Sequence, residues 1–600
     1  MRHLSVIVAA FAVLGVIYSV AIPIFETPDE LQHYSVVNYI SRYGWFPPLG
    51  EPGEHLWDQE ALQAPLFYWA AAVSSFWVDT SDLSRQAVLQ PKANIGDATL
   101  PGKKNAFLHG PDQTFPYRGA TLAVRLCRWL SVLLGAGTVA ATFFIARSVT
   151  DAQSGWALFL PSAIIAFIPQ FIFINASCSN DSAITLTSTL TLALLLWIAR
   201  SGSTRRRAAL LGAAMGLMAL SKLIGTALAL LALGLIFLIT RRLSDTATAA
   251  AVFMAVAGWW YARNQFVYGD PLALNAFLQF VGGSADTPSA PSLSFLWDQF
   301  RLLRLSTWGL FGHISVPITP YGIYAFFDIG AAMAVIAFSV SAFGSLADIL
   351  RRNDLLRGIG EYIACHRARL IALVWVGAVL ALGARWFFAA GIQGRLIFPA
   401  LPAGSALAVW GLRSFSARCS PVAVRRVALA VSLAMLAFTV AVVPLYLLPA
   451  YSPPPLVDRI PTAATQTDIR FGDEIALRGY TVARRHNQLL ITFYWQTLIT
   501  PSTDYTVAVR LVRPDGSFWL DYVNYPGMGT TLPTTWLPGE LRRDDYVFDT
   551  DRLPSATSPL RLIVGYFDPH AKTMLPIQNW SDVREAGWAT LAEVELTDSQ

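Results

Sequence analysis

Two adjacent carboxylates, Asp29 and Glu30, stand in the run Phe25-Glu26-Thr27-Pro28-Asp29-Glu30-Leu31-Gln32-His33-Tyr34, directly after the first apolar stretch of the chain. A carboxylate held at a membrane surface can take a proton from an attacking hydroxyl, and a positioned base contributes roughly 10² to 10⁴-fold to such a step. The same run carries the signs of a helix start: Thr27 as N-cap, Pro28 at the first helical position and Glu30 at the third, the spacing of a capping box. Capping accounts for Glu30, and Asp29 complements a helix dipole by about 0.3–1 kcal/mol. Neither accounts for His33, which the i,i+4 spacing places on the helical face of Asp29. Asp29 and Glu30 are the expected catalytic pair, with His33 beside them as a substrate-binding residue.

The rest of the chain says where such a site would sit. Of 600 residues, 54% are hydrophobic and 14% charged, and the apolar residues fall in long blocks, so most of the chain is solvated by lipid. The net charge of +5 does not point to nucleic acid, because the Lys and Arg residues lie mainly between apolar blocks, where membrane topology explains them. Cys127, Cys178, Cys365 and Cys419 match no zinc or redox spacing, and none follows residue 450.

A crossing helix needs roughly 20 apolar residues. Spans are predicted near 4–25, 122–146, 155–174, 182–199, 208–221, 223–240, 247–262, 323–346, 370–390, 396–412 and 427–449, giving about eleven transmembrane helices. The stretch Ala208 to Thr240 is too long for one crossing and is split into a hairpin at Lys222 and Gly225. With the N-terminus cytoplasmic, this count puts Arg205–Arg207, Arg241–Arg242, Arg351, Arg352, Arg357 and Arg425–Arg426 inside, as the positive-inside rule requires. A cleaved signal peptide is the alternative for residues 1–25, with Ser19-Val20-Ala21 as the cleavage site, but the apolar run exceeds the roughly 7–15 residues of a signal core.

The expected organisation is a membrane domain over 1–450 with a large first external loop at 26–120, a linker at 451–466, and an extracytoplasmic β-sandwich over 467–600. The tail reads as strands, such as Leu489–Trp495 and Tyr505–Leu511, separated by Pro514-Asp515-Gly516 and Pro538-Gly539 turns. Trp519, Trp536 and Trp580 could stack on carbohydrate, but core packing explains them as well, and the tail is assigned no catalytic part.

A Pro-Asp-Glu-x-x-His motif after the first span, followed by Gln63-Ala64-Pro65-Leu66-Phe67-Tyr68, resembles the C-type membrane glycosyltransferases, the superfamily of protein O-mannosyltransferases and aminoarabinose transferases. Asn180-Asp181, Lys222 and Gly394-Arg395-Leu396-Ile397-Phe398-Pro399 are similar to features of its bacterial members, and the likeness covers about residues 1–450. Ala64 stands where the family pattern has a second proline. The resemblance implies a sugar donor on a polyprenyl phosphate, an acidic residue of the first loop that activates the acceptor, and a polytopic helical fold. It makes Gln63, Tyr68, Asn180 and Asp181 further substrate-binding residues.

Displacement at an anomeric carbon needs a base, here Asp29, and cations for the leaving phosphate, here Lys222, Arg263 and Arg395. A divalent cation such as Mg or Mn is left open, since Asp29, Glu30 and His33 are of ligand type. The expected partners are a polyprenyl-phosphate-linked sugar, membrane lipids, and an acceptor glycan, lipid or protein, in the inner membrane of a cell envelope. Two other readings share the composition: a lipid-sugar flippase or transporter, and an envelope anchor for a carbohydrate-binding β domain.

Overall fold

The computed structural model describes residues 2–153, 155–282, 292–350, 355–388, 391–416, 419–553, 559–583 and 586–595; Arg351 and Arg352 of the expected cytoplasmic clusters lie outside them. The protein is a polytopic α-helical membrane protein with a β-sandwich at its C-terminal end. Each expected span coincides with helical structure. Among the described residues eight helices are long and apolar enough to cross a membrane, and the pair Trp156–Ala166 and Pro169–Asn175, bent by 62°, makes a ninth if it counts as one crossing. The bend falls at Ile168, which is extended because the residue before a proline is driven out of the helical region.

The expectation of about eleven crossings therefore exceeds the eight or nine that length and composition support. The two extra helices are Arg205–Ala219, with 15 residues, and Leu243–Tyr268, whose apolar run is diluted by Thr, Trp and Tyr. They pack on each other, with Gly212 so close to the Ala249 carbonyl that a Cβ there would collide. Small residues permit such close approach of helix backbones in lipid. The hairpin split stands: one helix ends at Ala219, the next runs Leu223–Thr240, and Lys222 is its extended N-cap residue.

The first loop is not a bare connection. It contains the helices Glu30–Tyr43 and Leu66–Ser75, whose buried faces join the core formed with the spans Gly119–Thr150, Asp181–Ser201 and Leu223–Thr240. The Arg-rich end of the bundle is the opposite one, where Arg200 and Arg369 both reach Asp151 at the end of Gly119–Thr150.

The tail forms two antiparallel five-stranded sheets. One contains Thr465–Phe471, Ile475–Arg485, Gln488–Thr497, Leu541–Asp549 and Ile577–Gln578; the other contains Thr506–Val512, Phe518–Asn524, Leu560–Asp568, Thr573–Met574 and Ala589–Val594. Their inner faces share one core that includes Trp519 and Trp536, with Trp580 packed at its edge, so these tryptophans are structural. The sandwich touches the first loop: Asn524 Nδ2 donates to Gln90 Oε1 at 2.7 Å, and Arg552 pairs with Asp97 at 2.7 Å.

Candidate active site

The helix start at residues 25–34 differs from the capping-box expectation. Helix Glu30–Tyr43 begins two residues late, with Asp29 as N-cap residue in the left-handed region at φ 60°. Thr27 makes no capping bond, and its buried hydroxyl has no partner. Glu30 instead turns to the membrane bundle. Its Oε1 accepts from Arg128 Nε at 2.7 Å and from the Cys178 amide at 2.8 Å, and its Oε2 accepts from Arg128 NH2 at 2.6 Å and from the Phe25 amide at 2.9 Å. Both Glu30 and Arg128 side chains are wholly buried. Burial would raise the Glu30 carboxyl, but the Arg128 charge and these donors hold it below the ordinary value. Glu30 thus welds the first loop to the bundle, and no reacting group could reach it without unfolding that joint.

The φ of Asp29 sends its carboxylate elsewhere. Asp29 Oδ2 meets Arg395 NH2 at 2.5 Å, and Arg395 NH1 reaches Asp181 Oδ2 at 3.5 Å. Asp181 Oδ1 in turn holds Lys222 Nζ at 2.6 Å. Four residues from four separate segments therefore form one alternating row of charges. The row is graded in access: the Asp181 side chain is 2% exposed, that of Asp29 38%. Burial pushes the Asp29 carboxyl up, but the Arg395 charge and hydrogen bond, with His33 and Lys222 assisting, bring it down to about 2. Asp29 is ionised throughout the physiological range.

Around this row stand other residues named from sequence. Asn180 Nδ2 donates to Gln63 Oε1 at 3.2 Å, and Asn180 Oδ1 is buried without a partner. His33 stays close enough to Asp29 to act on its charge, its amide bonding the Asp29 carbonyl at 2.9 Å, while its Nδ1 lies 2.7 Å from the Tyr68 hydroxyl and 3.1 Å from Glu60. Glu60, which also accepts from Tyr68 at 3.0 Å, was not singled out by sequence. A carboxylate three residues before Gln63 in an aromatic segment was the available signal.

Arg263 is not part of the group. Its guanidinium stacks on Trp260 and Tyr268, with centroid distances of 4.9 and 5.0 Å, and bonds Asn264 at 2.9 Å. The expectation of a cation there for the leaving phosphate is corrected: the aromatic faces of its own helix hold it.

The donor set does not suit a divalent cation as arranged. Asp29, Glu30 and His33 point to three different partners, and the carboxylates that do converge, Asp29 and Asp181, are already neutralised by Arg395 and Lys222. No group of three His, Cys, Asp or Glu residues of metal-ligating arrangement occurs among the described residues.

No family model matches the chain, and no curated protein does. Among solved structures, the oligosaccharyltransferase AglB of Archaeoglobus fulgidus, in complex with an inhibitory peptide and a dolichol-phosphate, aligns over 74% of this chain and 55% of its own, at 12% identity and TM-score 0.36. An oligosaccharyltransferase of Archaeoglobus fulgidus in complex with Zn and sulfate gives 74%, 53%, 13% and 0.35. ArnT of Cupriavidus metallidurans bound to undecaprenyl phosphate covers 68% of this chain and 77% of its own, at 15% identity and TM-score 0.29. The chain spans about half the length of the archaeal enzyme. At TM-scores below 0.5 these are distant likenesses, and the functional reading rests on the site itself.

Proposed function

We propose that the protein is a membrane glycosyltransferase that moves a sugar from a polyprenyl-phosphate donor to an acceptor on the extracytoplasmic side, with Asp29 as general base. The observation that supports it is the convergence of Asp29, Asp181, Lys222 and Arg395 at the end of the bundle away from the Arg-rich cluster around Asp151. The motif resemblance to C-type enzymes points the same way, and the positive-inside reading puts that end outside.

In this reading the donor phosphate binds Arg395 and Lys222. Guanidinium groups favour oxyanions in paired contacts, so Arg395 shares its charge with the phosphate and releases Asp29. The freed carboxylate becomes more basic, because burial still disfavours its ionised form. The acceptor hydroxyl oxygen attacks the anomeric carbon, its proton passes to Asp29, and the bond to the phosphate oxygen breaks. The electron pair leaves on polyprenyl phosphate, whose added charge is met by Arg395 and Lys222. Asn180 and Gln63 face the sugar, the buried Asn180 Oδ1 being an acceptor still without a donor. Glu30 and Arg128 hold the loop in place, and no step requires a metal.

Reconstitution of the purified chain in lipid with a panel of polyprenyl-phosphate sugars tests this. Consumption of one donor by the wild type and its loss in Asp29→Asn are expected. Undiminished transfer in Asp29→Asn, or lipid movement without sugar transfer, refutes the assignment.

A further inference from the structure

A cavity of about 450 Å³ lies apart from the Asp29 site, where the first loop, the 316–321 loop, the end of the last span and the Ile475–Gln488 hairpin meet. Leu100, Pro101 and Pro317 form apolar walls, and Leu445 and Tyr446 come from the outer part of the span Pro421–Tyr451. There the helix widens into a π-turn at Val443–Leu447, Tyr446 bonds the Thr319 carbonyl at 2.6 Å, and Leu445 is 61% exposed. The cavity therefore opens where the bundle surface passes from lipid to the polar side.

One charged group lines it. Lys104 is 93% buried, being 7% exposed, and its amine donates only to the Leu100 carbonyl. It forms no ion pair among the described residues. The acid that most influences it, Asp97, is already taken by Arg552 at 2.7 Å and by Thr99. Burial, and after it the Arg552 charge, push the Lys104 ammonium down to about 8 with Asp97 opposing, so the amine stays charged at neutral pH. An ammonium buried there with no ion-pair partner is unfavourable, and the backbone does not require it: the Lys104 amide bonds the Ala450 carbonyl at 3.1 Å whatever the side chain.

We propose that this cavity is a binding site for an anionic phospholipid, with the lipid phosphate on Lys104 and the acyl chains running along Leu445 into the membrane. The cation selects an anion, the apolar walls select an amphiphile over a free ion, and the position at the end of a span selects a membrane lipid. The site is independent of the sugar-transfer reading, since it shares no residue with the Asp29 row.

The test is calorimetric titration of the purified full-length chain in neutral detergent at pH 7 with dihexanoyl phosphatidic acid, dihexanoyl phosphatidylcholine and inorganic phosphate. Phosphatidic acid binds the wild type and the Arg395→Gln variant, and binds Lys104→Met at least about tenfold more weakly, the loss of one charge-assisted bond. Phosphatidylcholine and inorganic phosphate bind more weakly than phosphatidic acid. Absence of phosphatidic acid binding overturns the proposal, as does equal binding of inorganic phosphate. Binding that survives Lys104→Met and vanishes in Arg395→Gln places the anion in the reaction cleft and also overturns it. A second readout does not depend on the variant folding: reductive methylation of Lys104 is slowed by phosphatidic acid while that of exposed Lys92 and Lys572 is not. Equal methylation of Lys104 with and without the lipid refutes the site.

Discussion

Replacing Glu30 by Gln separates the two carboxylates that adjoin in sequence. In the native site Glu30 meets the fully buried guanidinium of Arg128 through both oxygens and also accepts two backbone amides. Glutamine keeps the shape but offers one oxygen to four donors and turns an NH2 group against them. A buried ion left without its partner costs about 3–5 kcal/mol. Arg128 retains the carbonyls of Ser19, Ile22 and Pro23 at 2.7–2.8 Å, which places the loss near about 3 kcal/mol at the lower end. Asp29→Asn, by contrast, removes a partly exposed pair worth about 1 kcal/mol or less. Unfolding of the two variants in the same detergent, followed by tryptophan fluorescence, gives a midpoint markedly lowered for Glu30→Gln and nearly unchanged for Asp29→Asn, while donor consumption is lost in Asp29→Asn. Glu30→Gln combined with Arg128→Met recovers most of the stability, because removing both members of a buried pair is often close to neutral. If Glu30→Gln folds as firmly as the wild type yet loses transfer as completely as Asp29→Asn, Glu30 is a reacting group and the division of labour is wrong.

Arg395→Gln leaves burial acting on Asp29 without its chief counter-charge, so the carboxyl rises from about 2 and the acidic limb of the activity profile moves to higher pH; a profile unchanged in position refutes the coupling. Gly225→Ala drives a Cβ into the Met218 carbonyl across the hairpin that presents Lys222, and transfer falls while donor-independent stability changes less; full activity shows the hairpin is not needed to aim Lys222. In the tail, burial raises the Asp544 carboxyl from 3.8 to about 6, against donors from Gly527 and Tyr546. Its neutral form suits the folded state, so the stability it contributes is full below the unfolded value and is lost as pH rises through about 6, on the order of 3 kcal/mol in all. Thermal unfolding of the tail signal at pH 4.5 and 7.5 reads this, and Asp544→Asn removes the difference; a tail more stable at pH 7.5 contradicts it.

Much of the architecture was legible because lipid imposes a simple demand. Apolar length alone located the spans, and one lysine inside an apolar run marked the turn at Lys222. Length and composition fall short of the expected count at Arg205–Ala219 and Leu243–Tyr268, helices that pack on each other by small-residue contact and meet the apolar-length demand less fully. At the site, motif residues pointed to Asp29, Asp181, Lys222 and Arg395, and the structure brings these together. Glu30 was misread because its partner, Arg128, is 98 residues away on a spanning helix, and a local pattern cannot register a claim made from that distance. The same holds for Glu60, whose meaning comes only from His33 and Tyr68 folding over it. Arg263 shows the converse, a charge whose place is decided by Trp260 and Tyr268 of its own helix.

The contact between Asp29 and Arg395 joins residues 366 positions apart. During synthesis at about 5–20 residues per second, Arg395 emerges roughly 20–70 s after Asp29. Throughout that interval the nascent chain holds an acidic loop with no guanidinium to aim it. A ribosome that stalls or a message cut short before the tenth predicted span therefore leaves a protein without the Asp29–Arg395 pair, and under the proposed function competence for transfer arrives only when nearly the whole membrane part has been made.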